Sequence, residues 1–165
     1  MPKKLLLAID GSEASMKAVE HVNEVLSGHR AFEITLYHVC ATPAGLLEQG
    51  GSEDPLKESQ LDERLHQQLA MWVERCRQRI EGSVFARAKE ILAEAISEGV
   101  SVGTEVDTEA HPDTATSIIR KAKEEGYRVV VLGRRGKSTL KDYVFGSVSS
   151  KVVHNIRDCA VWIVE

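Results

Sequence analysis

The residues that suggest chemistry in this chain are a set of glycines, one serine and a distant aspartate. Residues 132–150 read LGRRGKSTLKDYVFGSVSS. Inside them Gly136-Lys137-Ser138 copies the tail of a P-loop, whose full pattern is G-x-x-x-x-G-K-[ST]. The first glycine of that pattern would fall at position 131, and Val131 stands there. A loop of that length is also too short to wrap a phosphate. The P-loop reading is therefore set aside. The G-x-G-x-x-G pattern is absent as well, which weakens a nicotinamide-cofactor reading.

A different spacing remains. Gly133, Gly136 and Gly146 form G-x2-G-x9-G, and Ser147 follows. A glycine at 133, leaving a buried strand, would let a sugar or phosphate approach the backbone. Gly136 can present its N–H in a turn. Gly146-Ser147 falls where a helix begins, and free N–H groups at a helix start attract anions. The Ser147 hydroxyl adds a donor. Asp10 is suited to accept hydrogen bonds from ribose hydroxyls. Each glycine alone is explained by its place at a strand–helix joint; the joint pattern is what points to a nucleotide.

These residues need a scaffold that brings positions 10 and 146 together. Residues 3–9, KKLLLAI, are a buried strand followed by the turn Asp10-Gly11-Ser12. Ser12 is a suitable N-cap for a helix burying Ala14, Ala18, Val22, Val25 and Leu26. Residues 32–40 read as a second strand. Residues 41–55, with Pro43, Gly45, Gly50, Gly51 and Pro55, read as a mobile loop. From about 58 to 98 the spacing is helical, and Gly82-Ser83 suggests a break into two helices. Residues 100–107 alternate like a strand near a sheet edge. Pro112 suits the first turn of a helix that stops at Gly126. Residues 128–132 are a fully buried strand, Ser147 opens the last helix, and CAVWIVE closes the chain as a fifth strand.

Strands alternating with helices predict an α/β fold: a Rossmann-like, doubly wound, five-stranded parallel sheet with helices on both faces. The natural strand order is 3-2-1-4-5. It places the ends of the first and fourth strands side by side, at the switch point where ligands bind. The loops DGSE and GRRG should therefore meet.

At this point the sequence resembles the universal stress protein family. The likeness runs nearly end to end, from LLLAIDGSEASMKAVEHV through LYHV and VVVLGRRGKSTLKDYVFGSVSSKVV to CAVWIVE. The G-x2-G-x9-G-[ST] spacing marks the family's ATP-binding branch. The resemblance implies one nucleotide-binding domain over 1–165, with a mobile loop and extra helix at about 41–82. It implies ATP, ADP or AMP at the crevice, with Mg²⁺ or Mn²⁺ as the metal a nucleotide would carry. Asp10 would contact the ribose. Gly133, Gly136, Gly146 and Ser147 would line the ribose and phosphates, and Val148 would give a backbone donor. Val39, Ile9 and Ala8 would lie near the adenine, with Leu132 beside Gly133. Homodimerisation through residues 160–164 is also implied, as is a stress-response regulatory role; a cytoplasmic location is expected separately, from the unpaired cysteines and the lack of a signal-peptide or membrane-helix run. A slow ATPase or a nucleotidyl or phosphoryl transferase stays open, as does a nucleotide-free scaffold serving a protein partner. The chain departs from the family pattern at Arg134, at AHPDTA and at Cys159-Ala160-Val161. Arg134 and Arg135 could add charge near phosphates or point to solvent.

Composition narrows the other classes. The chain has 165 residues and a formal net charge of −4, which argues against general nucleic-acid binding. No apolar run approaches the roughly 18 residues of a membrane helix. The histidines do not pair with cysteines or carboxylates at metal-ligand spacing, so no structural metal site is expected. His38 reads as a satisfied core histidine, and His111 as a candidate to approach the ligand. Cys40, Cys76 and Cys159 form no C-x-x-C pair and are odd in number, so all are expected to be free thiols.

Overall fold

The computed structural model describes residues 2–40, 55–109, 113–134 and 146–165, with 55–62 as backbone only. The elements in chain order are β1 (Lys3–Ala8), α1 (Glu13–Leu26), β2 (Phe32–Val39), α2 (Pro55–Arg79), a π-helical segment (Ile80–Phe85), α3 (Ala86–Ile91), α4 (Ala93–Ser97), β3 (Ser101–Asp107), α5 (Thr114–Glu124), β4 (Val129–Gly133), α6 (Ser147–Asn155) and β5 (Ala160–Val164). The strands form one sheet in the order β3-β2-β1-β4-β5. Every neighbouring pair is parallel. This is the doubly wound order expected from the alternation.

Period-two alternation sends each strand's side chains to opposite faces. On one face Leu5, Leu7, Ile34, Leu36, Val129 and Val131 pack with α1 and the helical stretch from Cys76 to Ala95. On the other, Leu6, Tyr37, Val130 and Leu132 pack with Ile118 and Ala122 of α5 and Val152 of α6. The strands β1 and β4 are covered on both sides, and so their central residues lack polar alternation; β2, next to the edge strand, keeps Glu33 and Thr35 between its apolar residues.

Three local expectations change. Val25 does not join the buried face of α1; Met16 and Val19 do, while Val25 is exposed. Gly82-Ser83 does not break the helix. It lies inside the π-helical segment, and the Ser83 hydroxyl donates to the Arg79 carbonyl at 2.5 Å. The buried positions explain the substitution of a π-turn for a break. Cys76, Ile80, Phe85, Ala88, Leu92 and Ala95 are all buried. The step from Ile80 to Phe85 is one residue too long for an α-helical stripe, and a π-turn absorbs the extra residue. Finally, α5 starts at Thr114 with Asp113 as its N-cap, the carboxylate accepting the Thr116 N–H at 2.9 Å. Pro112 and His111, and the loop expected over 41–54, lie outside the described residues. Among the described residues no helix is long and apolar enough to cross a membrane.

Candidate functional site

The parallel register fixes where the loops meet. Ala8 pairs with Tyr37 of β2 on one side and with Leu132 of β4 on the other. The chain leaves β1 and β4 at neighbouring points, and the two crossovers diverge to opposite faces. A cleft of about 220 Å³ opens there. Its walls include Ala8, Ile9, Asp10, Val39, Leu132, Gly133, Gly146, Ser147 and Val148. These are the predicted site residues except Gly136, which lies outside the described residues, as do Lys137 and Ser138.

Local chemistry holds each wall. Asp10 accepts the Ser12 N–H on Oδ1 at 2.9 Å, which turns the chain into α1. Ser12 then caps α1, its hydroxyl accepting the Ser15 N–H at 3.2 Å. On the facing side, Gly146 is the N-cap of α6 and offers no side-chain cap. The first-turn N–H groups that follow have no partner within the helix, so this end carries partial positive charge toward the cleft. Arg134 sets the start of α6 through its backbone. Its carbonyl accepts the Gly146 N–H at 2.9 Å and the Ser149 hydroxyl at 3.0 Å. Its guanidinium is paired with Glu165. Arg135 lies outside the described residues.

Gly133 has a role that the sequence did not suggest. Its missing side chain answers a packing need beside the cleft. A Cβ built there would lie 2.6 Å from the carbonyl carbon of Ala14 and 2.8 Å from the Ser15 nitrogen. Gly133 therefore lets the end of β4 pack against the first turn of α1. Gly146 differs: its φ of −65° and ψ of 158° are open to any residue, so backbone conformation does not call for glycine there.

Several cleft residues escape the sequence reading: Ser15, Tyr37, Thr114, Ile118 and Ser149. His38, expected as a core histidine, is half-buried on the cleft wall, and its Nδ1–H donates to the Ile9 carbonyl at 2.7 Å. Behind the wall lies a buried polar set. The Tyr37 hydroxyl donates to Asp107 Oδ2 at 2.5 Å and lies 2.7 Å from the Ser117 hydroxyl, which also donates to Asp107. Burial first, and the Asp107 carboxylate next, push the Tyr37 phenol far above its ordinary range, so it stays a donor. The Asp107 carbonyl in turn accepts the Cys40 N–H at 2.8 Å. Alternation gave no cue to Asp107, because it ends an edge strand where polar residues are ordinary.

The cysteines correct the expectation of three free thiols. Cys40 and Cys76 are joined by a disulfide with Cα atoms 6.6 Å apart, and only Cys159 is free. A separation of 36 residues with no C-x-x-C spacing carries no signal in sequence. Among the described residues no cluster of three or more His, Cys, Asp or Glu side chains could hold a metal ion.

The cleft thus has an apolar side, formed by Ile9, Val39, Leu132 and Ile118, a carboxylate at Asp10, and a helix start opposite. Comparison with known proteins follows the same lines. The universal stress protein family model matches residues 1–165. Universal stress protein YxiE of Bacillus subtilis (strain 168) is 31% identical over 167 residues, covering 99% of both chains. Among solved structures, hypothetical protein MJ0577 superposes with a TM-score of 0.68 at 24% identity, covering 99% of this chain and 96% of that one. A universal stress protein solved in complex with cAMP superposes with a TM-score of 0.56 at 16% identity, over 99% and 96%. The chain belongs to the universal stress protein family.

Proposed function

We propose that this member of the universal stress protein family binds an adenine nucleotide (ATP, ADP or AMP) in the cleft between β1 and β4, and acts as a stress-response regulator through nucleotide-dependent conformation or partner binding. The observation that carries the reading is the convergence of Asp10, Val39 and Gly146-Ser147 on one cleft from three separate parts of the sequence. The chemistry of the donor set fits the ligand. The adenine would sit against Ile9, Val39 and Leu132, with Ala8 at the strand end. Asp10 would accept from the ribose hydroxyls. The phosphates would lie toward Gly136, Gly146, Ser147 and the N–H of Val148, where the helix start favours anions. Mg²⁺ or Mn²⁺ would arrive with the nucleotide. The cAMP complex of a family member supports the ligand class.

Isothermal titration with ATP and AMP tests the reading. Wild type should bind, and Gly146→Asp should abolish binding by placing a carboxylate where phosphate belongs, with the circular dichroism spectrum unchanged. Absence of binding by wild type, or unaltered binding by the variant, would refute the site.

β5 is an edge strand whose outer backbone groups have no strand partner among the described residues. We assign it as the homodimer contact, through residues 160–164. Light scattering should give twice the chain mass, and Ile163→Pro should return a monomer.

A further inference from the structure

The disulfide lies where a change in it would reach the cleft. Cys40 directly follows Val39 of the cleft wall, and its N–H is held by the Asp107 carbonyl at 2.8 Å. Asp107 also anchors Tyr37, another wall residue. Cys76 belongs to α2. It is the one buried side chain among the described side chains of that helix, 63–79. Leu65, Leu69 and Trp72 are only half-buried, and Met71 is exposed. The Cys40–Cys76 bond thus ties the one buried side chain of this stretch to the end of β2, beside the half-buried Trp72 on the same core, and it ends one residue from the proposed adenine wall.

We propose that Cys40 and Cys76 form a reversible dithiol–disulfide site whose closure fixes α2 against the end of β2 and strengthens nucleotide binding. The nucleotide part rests on the function proposed above. Closure uses a disulfide R–S–S–R, either a low-molecular-weight disulfide or an oxidoreductase. One cysteine thiolate attacks a sulfur of R–S–S–R and releases RS⁻. The second thiolate attacks the mixed disulfide at the first cysteine's sulfur and releases a second RS⁻. Two electrons pass from the cysteine pair to R–S–S–R, and the two protons end on two RSH. Opening reverses these steps. In a reducing compartment such a bond serves sensing rather than permanent bracing. Burial of both sulfurs makes exchange slow without an oxidoreductase.

The test uses the full chain equilibrated in glutathione buffers of graded ratio, trapped by alkylation and weighed. Cys40 and Cys76 should become protected together, as a two-electron pair, while Cys159 is alkylated at every ratio. Hydrogen exchange over 63–79 should quicken at least tenfold on reduction. Titration calorimetry should show ATP affinity falling about three- to tenfold, the cost of a binding-competent state that is no longer fully populated. Cys76→Ala and Cys76→Ser should reproduce the reduced protein without touching the cleft, and reduced wild type serves where a variant fails to fold. Free alkylation of both cysteines in the most oxidising buffer would overturn the site. A bond that forms without altering exchange or affinity would overturn the coupling. If neither form binds ATP while protection and exchange respond, the nucleotide reading fails and the dithiol site stands.

Discussion

Gly133→Ala separates two explanations of a signature glycine. In the structure the added Cβ would meet backbone: the Ala14 carbonyl carbon at 2.6 Å, the Ala14 oxygen at 2.8 Å and the Ser15 nitrogen at 2.8 Å. No rotamer change relieves a clash with backbone. The first turn of α1 would have to retreat from β4 by most of an ångström. That turn is held by the Ser12 cap and the Asp10–Ser12 turn. Overpacking of this kind costs typically 1–3 kcal/mol, and the rigid neighbours place it near the middle, about 2 kcal/mol. For a domain of this size each kcal/mol moves Tm by roughly 2–4 °C, so Tm should fall by about 4–8 °C.

The assay is thermal unfolding of nucleotide-free protein followed by circular dichroism. Gly103→Ala is the control. Gly103 lies in β3, has no atom within 4 Å of a built Cβ, and is exposed. Replacing it should be neutral or raise stability by up to about 1 kcal/mol. If Gly133 is glycine only so that a ligand can approach, Gly133→Ala should unfold with the wild type and differ only in nucleotide affinity. A Tm within about 1 °C of wild type would refute the packing argument.

Tyr37→Phe removes a buried donor from Asp107 and should cost about 1–3 kcal/mol in urea unfolding, more than an exposed tyrosine would. Ser12→Ala removes the cap of α1 and should cost about 1 kcal/mol by the same measurement. Asp113→Asn keeps a side chain able to cap α5 but loses the ion pair with Lys151. The Lys151 contact first, and the Thr116 N–H next, hold the Asp113 carboxyl below its usual range. A depressed folded pKa gives stability that is present above the unfolded value of roughly 3.9 and is lost as pH falls through the folded value. The pair is solvent-accessible, so wild type should exceed the variant by at most about 1 kcal/mol at pH 7, and the two should converge as pH falls through the folded value. A constant difference across that range would contradict the assignment.

How far the sequence reads depends on which physical cause leaves a local trace. The strands β1 and β4 were legible because burial on both faces demands unbroken apolar runs such as Leu5-Leu6-Leu7 and Val129-Val130-Val131, whereas β2, FEITLYHV, was legible from β-branched and aromatic residues alternating with polar ones. Their order followed from the helical crossovers, and with it the meeting of Asp10 and Gly146 at the end of the sheet. The π-turn was not legible as such, although the five-residue step from Ile80 to Phe85 is visible once Phe85 is put on the stripe. The Tyr37–Asp107–Ser117 set was illegible. It joins three elements, and each residue alone is unremarkable where it stands. The same holds for Cys40 and Cys76, whose pairing depends on how α2 lies on the sheet and on nothing in their spacing.

The glycine pattern therefore should not be read as three copies of one requirement. Gly133 is dictated by helix–strand packing, so its loss would be felt without any ligand present. Gly146 has a backbone that other residues could adopt, and it caps a helix without a side chain. A serine or aspartate cap would stabilise α6 better, and an aspartate would also place a carboxylate at the positive end of the helix. An N-cap residue without a side-chain cap gives up local stability where the cleft is most attractive to an anion. Within one motif, one glycine lets strand and helix pack together, and another starts a helix on the cleft wall without a side-chain cap.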